Sequence, residues 1–239
     1  MVTKLCVGIP AYGNVPSEFV QSLIKIIALP PVGSMQLQLL AGVAELPLAR
    51  NQIAAAFMKS DCSHLLFIDS DLVFTTAHIQ MLFQHKVDFI GGFYPRKQEG
   101  PLQWVINTKP APINPLGTGL QELKYIGTGF MLISRKVFES ILAREEEQIW
   151  YEPDEALPNQ QPGRQWDFFH CGVRFDPDTG KRRYLTEDWW FCQSWIDCGG
   201  KVFGDARVVL QHIGQITFPL KSQLPAPVIP TVEDVKAPA

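Results

Sequence analysis

The 239-residue chain has no excess of one charge. Its 21 basic and 24 acidic residues leave a net −3, which does not suit a general nucleic-acid binder. No apolar run approaches the ~20 residues of a membrane-spanning helix. The opening Met1-Val2-Thr3-Lys4-Leu5-Cys6-Val7-Gly8-Ile9-Pro10 has too short an apolar stretch for a signal peptide. CxxC spacing is also missing: five cysteines, at 6, 62, 171, 192 and 198, form an odd set with no zinc or disulfide pattern. They read as small buried hydrophobes in a reducing compartment, and a cytoplasmic protein is expected. What is there, 46% hydrophobic and 19% charged residues, is globular composition in a chain long enough to bury a core without staples.

The first 140 residues alternate strand-like and helix-like segments. Strands are predicted over 5–10, 35–40, 64–68 and 87–93. Helices are predicted over 17–29, with Ser17 as N-cap, over 47–60, with Pro47 in the first turn, and over 75–85. Such alternation argues for an α/β fold, a mostly parallel central sheet flanked by helices, with a smaller mixed β region. Ligands of such sheets bind beyond the carboxyl ends of the strands, so the residues after Ile9 and Ile68 come first in a search for chemistry. The second half predicts short strands over 102–106 and 120–126, a firmer one over 129–134 and a helix over 135–146. A helix over 187–198 ends at Gly199-Gly200, followed by strands at 202–203 and 207–211. Residues 150–183 are too long for an ordinary connection and read as a functional loop or lid. From Pro219 onward, Pro225, Pro227, Pro230 and Pro238 suggest a flexible tail.

Leu65-Leu66-Phe67-Ile68-Asp69-Ser70-Asp71 is the strongest local signal. A chain with twelve aspartates yields about 0.6 D-x-D pairs by chance, so the string alone means little. A second pair, Asp176-Pro177-Asp178, reads as a hairpin turn. Placement distinguishes the first: both acids follow a buried strand, and residues two apart in extended chain face the same way. They suit one hard cation, Mg²⁺ or Mn²⁺. The plainer alternative is a solvated turn capping the next helix.

Thr186-Glu187-Asp188-Trp189 opens a helix, where the dipole alone would favour both acids. Asp188, however, shares a face with Phe191, Cys192 and Trp195, so it is expected to point inward, where a carboxylate can take a proton. His212 follows the apolar run Val208-Val209-Leu210 and reads either as a core histidine or as a nitrogen ligand. Arg50 lies in the first turn of its predicted helix, an unfavourable place for a cation unless an anion binds there; pairing with Glu45 is the simpler reading. Gly127 and Gly129 either bend the chain or let backbone approach a ligand. Trp104, Trp166, Trp189 and Trp190 suit either sugar stacking or the core.

Together these segments resemble the GT-A glycosyltransferases, in particular the family-2-like branch of the nucleotide-diphospho-sugar transferases. The resemblance runs over about 1–214. It is carried by Val7-Gly8-Ile9-Pro10-Ala11-Tyr12, Leu48-Ala49-Arg50-Asn51, Phe67-Ile68-Asp69-Ser70-Asp71, Tyr125-Ile126-Gly127-Thr128-Gly129-Phe130-Met131-Leu132-Ile133, Thr186-Glu187-Asp188 and Val209-Leu210-Gln211-His212-Ile213-Gly214. It implies a single Rossmann-like GT-A domain over 1–218, with a nucleotide-binding half (1–95) and an acceptor half (96–218), then the tail 219–239. It further implies a UDP- or GDP-sugar donor and Mn²⁺ or Mg²⁺. Pro10, Ala11, Tyr12, Arg50, Asp69, Ser70, Gly127 and Gly129 would bind the donor. Asp69, Asp71 and His212 would hold the metal. Asp188 would be the base of an inverting reaction, with Glu187 beside it. The acceptor would be a carbohydrate, lipid-linked or protein hydroxyl, reached without a transmembrane segment, with peripheral membrane contact allowed and nucleic acid excluded. Two alternatives stay open. Asp69-Ser70-Asp71-Leu72-Val73 also fits a haloacid-dehalogenase-like phosphatase with Asp69 as nucleophile, though its motif would then follow the third strand. A non-catalytic sugar-nucleotide-binding protein is the other.

Overall fold

The computed structural model describes residues 3–98, 101, 103–108, 119–153, 162–176 and 179–214. In chain order the elements are β1 (Lys4–Ala11), α1 (Ser17–Ala28), β2 (Ser34–Ala41), α2 (Leu46–Lys59), β3 (His64–Ile68), β4 (Leu72–Val73), α3 (Thr76–Gln84) and β5 (Phe89–Phe93). Then come β6 (Ile106–Thr108), β7 (Leu120–Ile126), β8 (Phe130–Ser134), α4 (Arg135–Ile149), β9 (Trp150–Tyr151), β10 (Gln165–Trp166) and β11 (Gly172–Asp176). The last are β12 (Lys181–Leu185), α5 (Glu187–Asp197), β13 (Val202–Val209) and β14 (Gln211–His212).

Eight strands form the central sheet in the order β2-β1-β3-β8-β5-β13-β7-β6. Six run one way; β8, between β3 and β5, and β7 run against them. The expected α/β fold with helices on both faces is therefore present, its sheet mixed at β7 and β8. The two-residue period of a strand divides the core. Leu5, Val7 and Ile9 of β1 join Leu66 and Ile68 of β3 beneath α1 and α3. Cys6, Leu65 and Phe67 point the other way, to Phe57 of α2, Phe138 of α4 and Phe191 of α5. Phe169 stacks on Phe191 at 4.5 Å, fixing the segment before β11 against α5.

Two local devices fix the ends of α2. Pro47 stands in its first turn, where the missing N–H costs nothing. At the other end, Arg135 donates to the carbonyls of Phe57 (2.9 Å), Met58 (3.2 Å), Ser60 (2.8 Å) and Cys62 (2.8 Å), satisfying the open acceptors of the helix terminus.

Several expectations are corrected. Ser17 is the first residue of α1, not its cap; the cap position is Pro16. The strand expected over 102–106 lies at Ile106–Thr108. α4 runs on to Ile149 past a break at Glu145, where φ is −140°. The two short strands expected after α5 are one, β13, whose register with β5 shifts between Asp205 and Val209. Asp205 there is fully buried and accepts from the Arg207 N–H, the Arg207 side chain and His85. The 150–183 segment, expected as a functional loop or lid, carries regular structure in its described parts: β9 pairs with β10 and β11 with β12 as antiparallel ribbons. The tail from Pro219 lies outside the described residues. All five cysteines are free thiols, and burial pushes Cys6 up to about 12, as suits an inert core thiol.

Candidate functional site

The carboxyl ends of β1 and β3 open on a cavity of about 250 Å³. Pro10, Ala11 and Tyr12 form one wall and Asp69, Ser70 and Asp71 another, with Val43 and Leu46 closing it. Six of the residues singled out in the sequence thus share one cavity. Tyr12 is exposed and stands at its edge.

The centre of the site is Arg50, the fifth residue of α2 and so in its second turn, with a side chain only 3% exposed. It does not pair with Glu45. Its Nη2 lies 3.0 and 3.4 Å from the two carboxylate oxygens of Asp69, and its Nη1 lies 2.5 Å from Glu187 Oε1. Burial by itself would lower the guanidinium pKa, but Asp69 and Glu187 outweigh it and hold Arg50 above its usual value. Glu187 shifts the opposite way to most ion-paired acids: burial raises it, Arg50 opposes, and Asp188 next door adds to the rise. Of the two acids opening α5, the one that reaches the centre is therefore Glu187.

Asp71 faces elsewhere. Lys97 pairs with its Oδ2. Its Oδ1 is buried without a hydrogen-bond partner, 3.4 Å from His212 Nε2. β14 brings the histidine there by pairing with β4 (His212 opposite Leu72), and the Ile213 N–H donates to the Asp71 carbonyl at 2.8 Å. His212 Nδ1 lies 2.7 Å from the Pro95 carbonyl. A carbonyl only accepts, so Nδ1 carries a proton, and Nε2 is the ring nitrogen turned toward Asp71 Oδ1. Either a second ring proton or a shared cation satisfies this approach of Nε2 and Oδ1. Burial would raise the Asp71 pKa, yet His212 and Lys97 prevail and hold it below the usual range. The expected three-residue metal set divides: Asp71 and His212 converge, while Asp69 is committed to Arg50. Among the described residues no cluster of three His, Cys, Asp or Glu side chains is arranged to hold a metal.

Tyr94, which no sequence motif singles out, packs beside His212 and the Gly127–Gly129 turn. Its ring meets His212 edge-on at 5.4 Å, and its hydroxyl accepts the Gly129 N–H at 2.9 Å. A Cβ on Gly129 would lie 2.7 Å from that hydroxyl and 2.8 Å from Asp69 Oδ2; one on Gly127 would lie 2.3 Å from the hydroxyl. The space that a side chain at either glycine would need is taken by Tyr94. Burial lifts the Tyr94 hydroxyl well above its usual pKa, so it stays neutral. Tyr94 and Lys97 escape a motif search, yet both had a signal: they follow the carboxyl end of β5, where ligands of such sheets bind.

Asp188 is half-buried, while Phe191, Cys192 and Trp195 of its face are buried. Its Oδ1 accepts from the Thr186 hydroxyl and, at 2.8 Å, from the Trp189 N–H. It lines a separate cavity of about 260 Å³ with Arg96, Val105, Tyr184 and Trp189. The tryptophans have partners within the protein: Trp189 stacks on Tyr125 at 5.0 Å, Trp190 lies under Arg174 at 3.8 Å, and Trp104 and Trp166 pack on Phe93 and Phe168.

No protein-family model and no curated protein sequence matches this chain. Its fold does have counterparts, and it is GT-A-like: a large, mostly unidirectional sheet between helices, with small antiparallel ribbons. The crystal structure of A197 from STIV is similar at a TM-score of 0.53 and 15% identity, over 89% of this chain and 87% of that one. The crystal structure of GalNAc-T7 with UDP, GalNAc and Mn²⁺ is similar at a TM-score of 0.52 and 11% identity, over 90% of this chain. The chain spans only 44% of that structure. At such identities the likeness is one of fold. No described helix is long and apolar enough to cross a membrane.

Proposed function

We propose that the protein is a metal-dependent glycosyltransferase that moves a sugar from a nucleotide diphosphate to an acceptor hydroxyl with inversion. The observation that carries this reading is the approach of Asp71 Oδ1 and His212 Nε2, an oxygen and a nitrogen able to share a cation, beside the cavity walled by Pro10–Tyr12 and Asp69–Asp71. That one fold neighbour was crystallised with UDP, GalNAc and Mn²⁺ accords with it.

In this scheme Pro10, Ala11 and Tyr12 hold the base and ribose, with Ser70 alongside. Asp71 and His212 would hold Mn²⁺ or Mg²⁺, an oxygen and a nitrogen ligand completed by donor phosphates, as such ions are often bound. When bound, the metal neutralises charge developing on the departing diphosphate. Lys97, already beside Asp71, adds a second positive group there. Arg50 sets the Asp69 carboxylate, and Glu187 holds Arg50 from the far side. Asp188, in the neighbouring cavity, takes the proton of the acceptor hydroxyl as its oxygen attacks the anomeric carbon and the nucleotide diphosphate leaves. The phosphatase alternative needs Asp69 free to attack phosphorus, whereas Arg50 lies against both its oxygens.

The test is a thermal-shift titration with UDP-, GDP- and dTDP-sugars, with and without Mn²⁺, followed by an assay for donor hydrolysis. One nucleotide family should raise the melting temperature only when Mn²⁺ is present. No shift with any of them removes the donor site. Turnover of p-nitrophenyl phosphate favours the phosphatase, and a shift without hydrolysis or transfer favours a binding protein.

A further inference from the structure

Another cavity, of about 560 Å³, has more than twice the volume of the one between Pro10 and Asp71. The two share the start of α2: Val43, Ala44 and Leu46 line the smaller, Glu45, Pro47 and Leu48 the larger. Trp150 and Tyr151 of β9, with Asp167, Phe169, His170 and Cys171 ahead of β11, supply another wall of the larger. These six residues belong to the 150–183 segment, whose length alone marks it for a function. The volume lies within the ~300–1,000 Å³ of small-molecule sites.

Asn51, buried on α2, fixes the polar part of this wall. Its Nδ2 donates to Asp167 Oδ1 at 2.7 Å, and its Oδ1 accepts the Phe169 N–H at 2.8 Å. Asp167 Oδ2 accepts from His170 Nδ1 at 2.7 Å, and the Asp167 N–H donates to the Ile149 carbonyl at 2.8 Å. A carboxylate oxygen can accept more than one hydrogen bond, so Asp167 is oriented from within the protein and keeps capacity for a ligand. Its side chain is 37% exposed. Glu45, exposed at the N-cap position of α2, makes no side-chain cap bond.

The described lining residues include two acids and no lysine or arginine, so a phosphate or carboxylate is repelled. A cation is disfavoured as well, because the Arg164 guanidinium already lies 4.3 Å from the centre of the Trp150 ring. Carboxylates, an amide and aromatic rings together suit an uncharged polyol, whose hydroxyls donate to the acids while its C–H faces lie on the rings. We propose that this cavity binds a neutral saccharide, and that this saccharide is the acceptor of the transfer. Its placement bears on the second half. Cys171 Sγ lies 4.0 Å from Glu187 Oε2, and Cys171 bonds Tyr184, which lines the Asp188 cavity. An oligosaccharide seated here extends toward Asp188. There its hydroxyl oxygen bonds the anomeric carbon as the nucleotide diphosphate leaves, and the hydroxyl proton passes to Asp188. The acceptor role rests on the transferase reading; the binding does not.

The test is saturation-transfer NMR on the full chain without nucleotide or metal, using maltotriose, cellotriose, mannotriose and chitotriose, with choline and inorganic phosphate as charged controls. At least one trisaccharide should receive saturation and quench tryptophan fluorescence on titration. Glu45→Ala, which removes one acceptor, should weaken that titration about tenfold. Trp150→Ala should weaken it at least as much, and both variants should keep the Mn²⁺-dependent nucleotide shift of the wild type. Absence of transfer to all four trisaccharides overturns the proposal, as does equal affinity in the wild type and both variants. Tighter binding of choline or phosphate than of any trisaccharide overturns the ligand class. If Trp150→Ala does not fold, Glu45→Ala decides the matter. With the nucleotide sugar that raises the melting temperature, and Mn²⁺, the bound trisaccharide should gain the mass of one donor sugar; an unchanged mass overturns the acceptor role. Saccharide binding without any nucleotide shift leaves the cavity assigned and removes the transferase reading, and the reverse result removes the cavity alone.

Discussion

Arg50 Nη1 and Glu187 Oε1 are 2.5 Å apart although 137 residues separate them in the chain. With Asp69 on its other side, the guanidinium neutralises two carboxylates and leaves its own buried Nε without a hydrogen-bond partner. The ion pair ties the start of α5 to α2 and β3.

Arg50→Ala strands both acids in a partly buried site, and breaking a pair of this kind costs ~3 kcal/mol. Chemical denaturation should show that loss. Arg50→Lys keeps the charge without the planar fork and cannot reach Asp69 and Glu187 in the same way. It should restore part of the stability while nucleotide binding stays weak.

Asp71→Ala and His212→Ala are expected to abolish Mn²⁺-dependent nucleotide stabilisation with little change in the melting temperature of the free protein. Calorimetric titration reads this directly. Nucleotide binding that remains fully Mn²⁺-dependent in both variants would exclude the pair as ligands.

Asp188→Asn should leave donor binding near that of the wild type and lower transfer by about 10²–10⁴-fold, the usual contribution of a general base. Full transfer activity in this variant rules out the assignment. Glu187→Gln should act differently, weakening the hold on Arg50 and so reducing donor affinity along with turnover.

Gly129→Ala places a methyl group where Tyr94 Oη and Asp69 Oδ2 already sit, 2.7 and 2.8 Å away. Since the hydroxyl belongs to a buried, hydrogen-bonded ring, the substitution is expected to lower stability and to displace Asp69. The melting temperature and nucleotide affinity should fall together. Recovery of both in a Gly129→Ala, Tyr94→Phe double variant would identify the hydroxyl as the obstacle.

Asp205 supplies the pH dependence. Burial would raise its pKa, but Arg207 and His85 dominate and the folded value lies below the ordinary 3.8. A depressed acid contributes stability that is present above its unfolded pKa and is lost as pH falls through the folded one. The melting temperature should therefore drop on acidification below about pH 4. Asp205→Asn should flatten that decline and lower stability at neutral pH, its buried partners now lacking a full counter-charge.

The main strands and helices were legible because burial follows period. His64–Ile68 reads as a strand covered on both faces, and Asp69 and Asp71 just past it stand where strand ends present ligands. The bridging role of Arg50 was not legible: helical phase shows that it points inward but not which of many carboxylates it meets, and Glu45 was the local candidate. Glu187 and Asp188 are neighbours about 100° apart on α5, and only the docking of that helix decides which reaches Arg50. The union of Asp71 with His212 depends on β4 and β14, ribbons of two residues each, too short to show a pattern. In the 150–183 segment, strands of two and five residues were hidden among turn-forming Pro, Gly and Asp.

The insertion of β8 between β3 and β5 has a consequence during synthesis. The first 95 residues carry β1, β2, β3 and β5, but the slot between β3 and β5 is filled by a strand translated some forty residues later. Until residues 130–134 emerge from the ribosome, two largely buried and apolar strands, β3 and β5, lack the neighbour between them. The nascent chain must be kept from self-association through that interval, and a fragment ending near residue 95 should aggregate rather than fold.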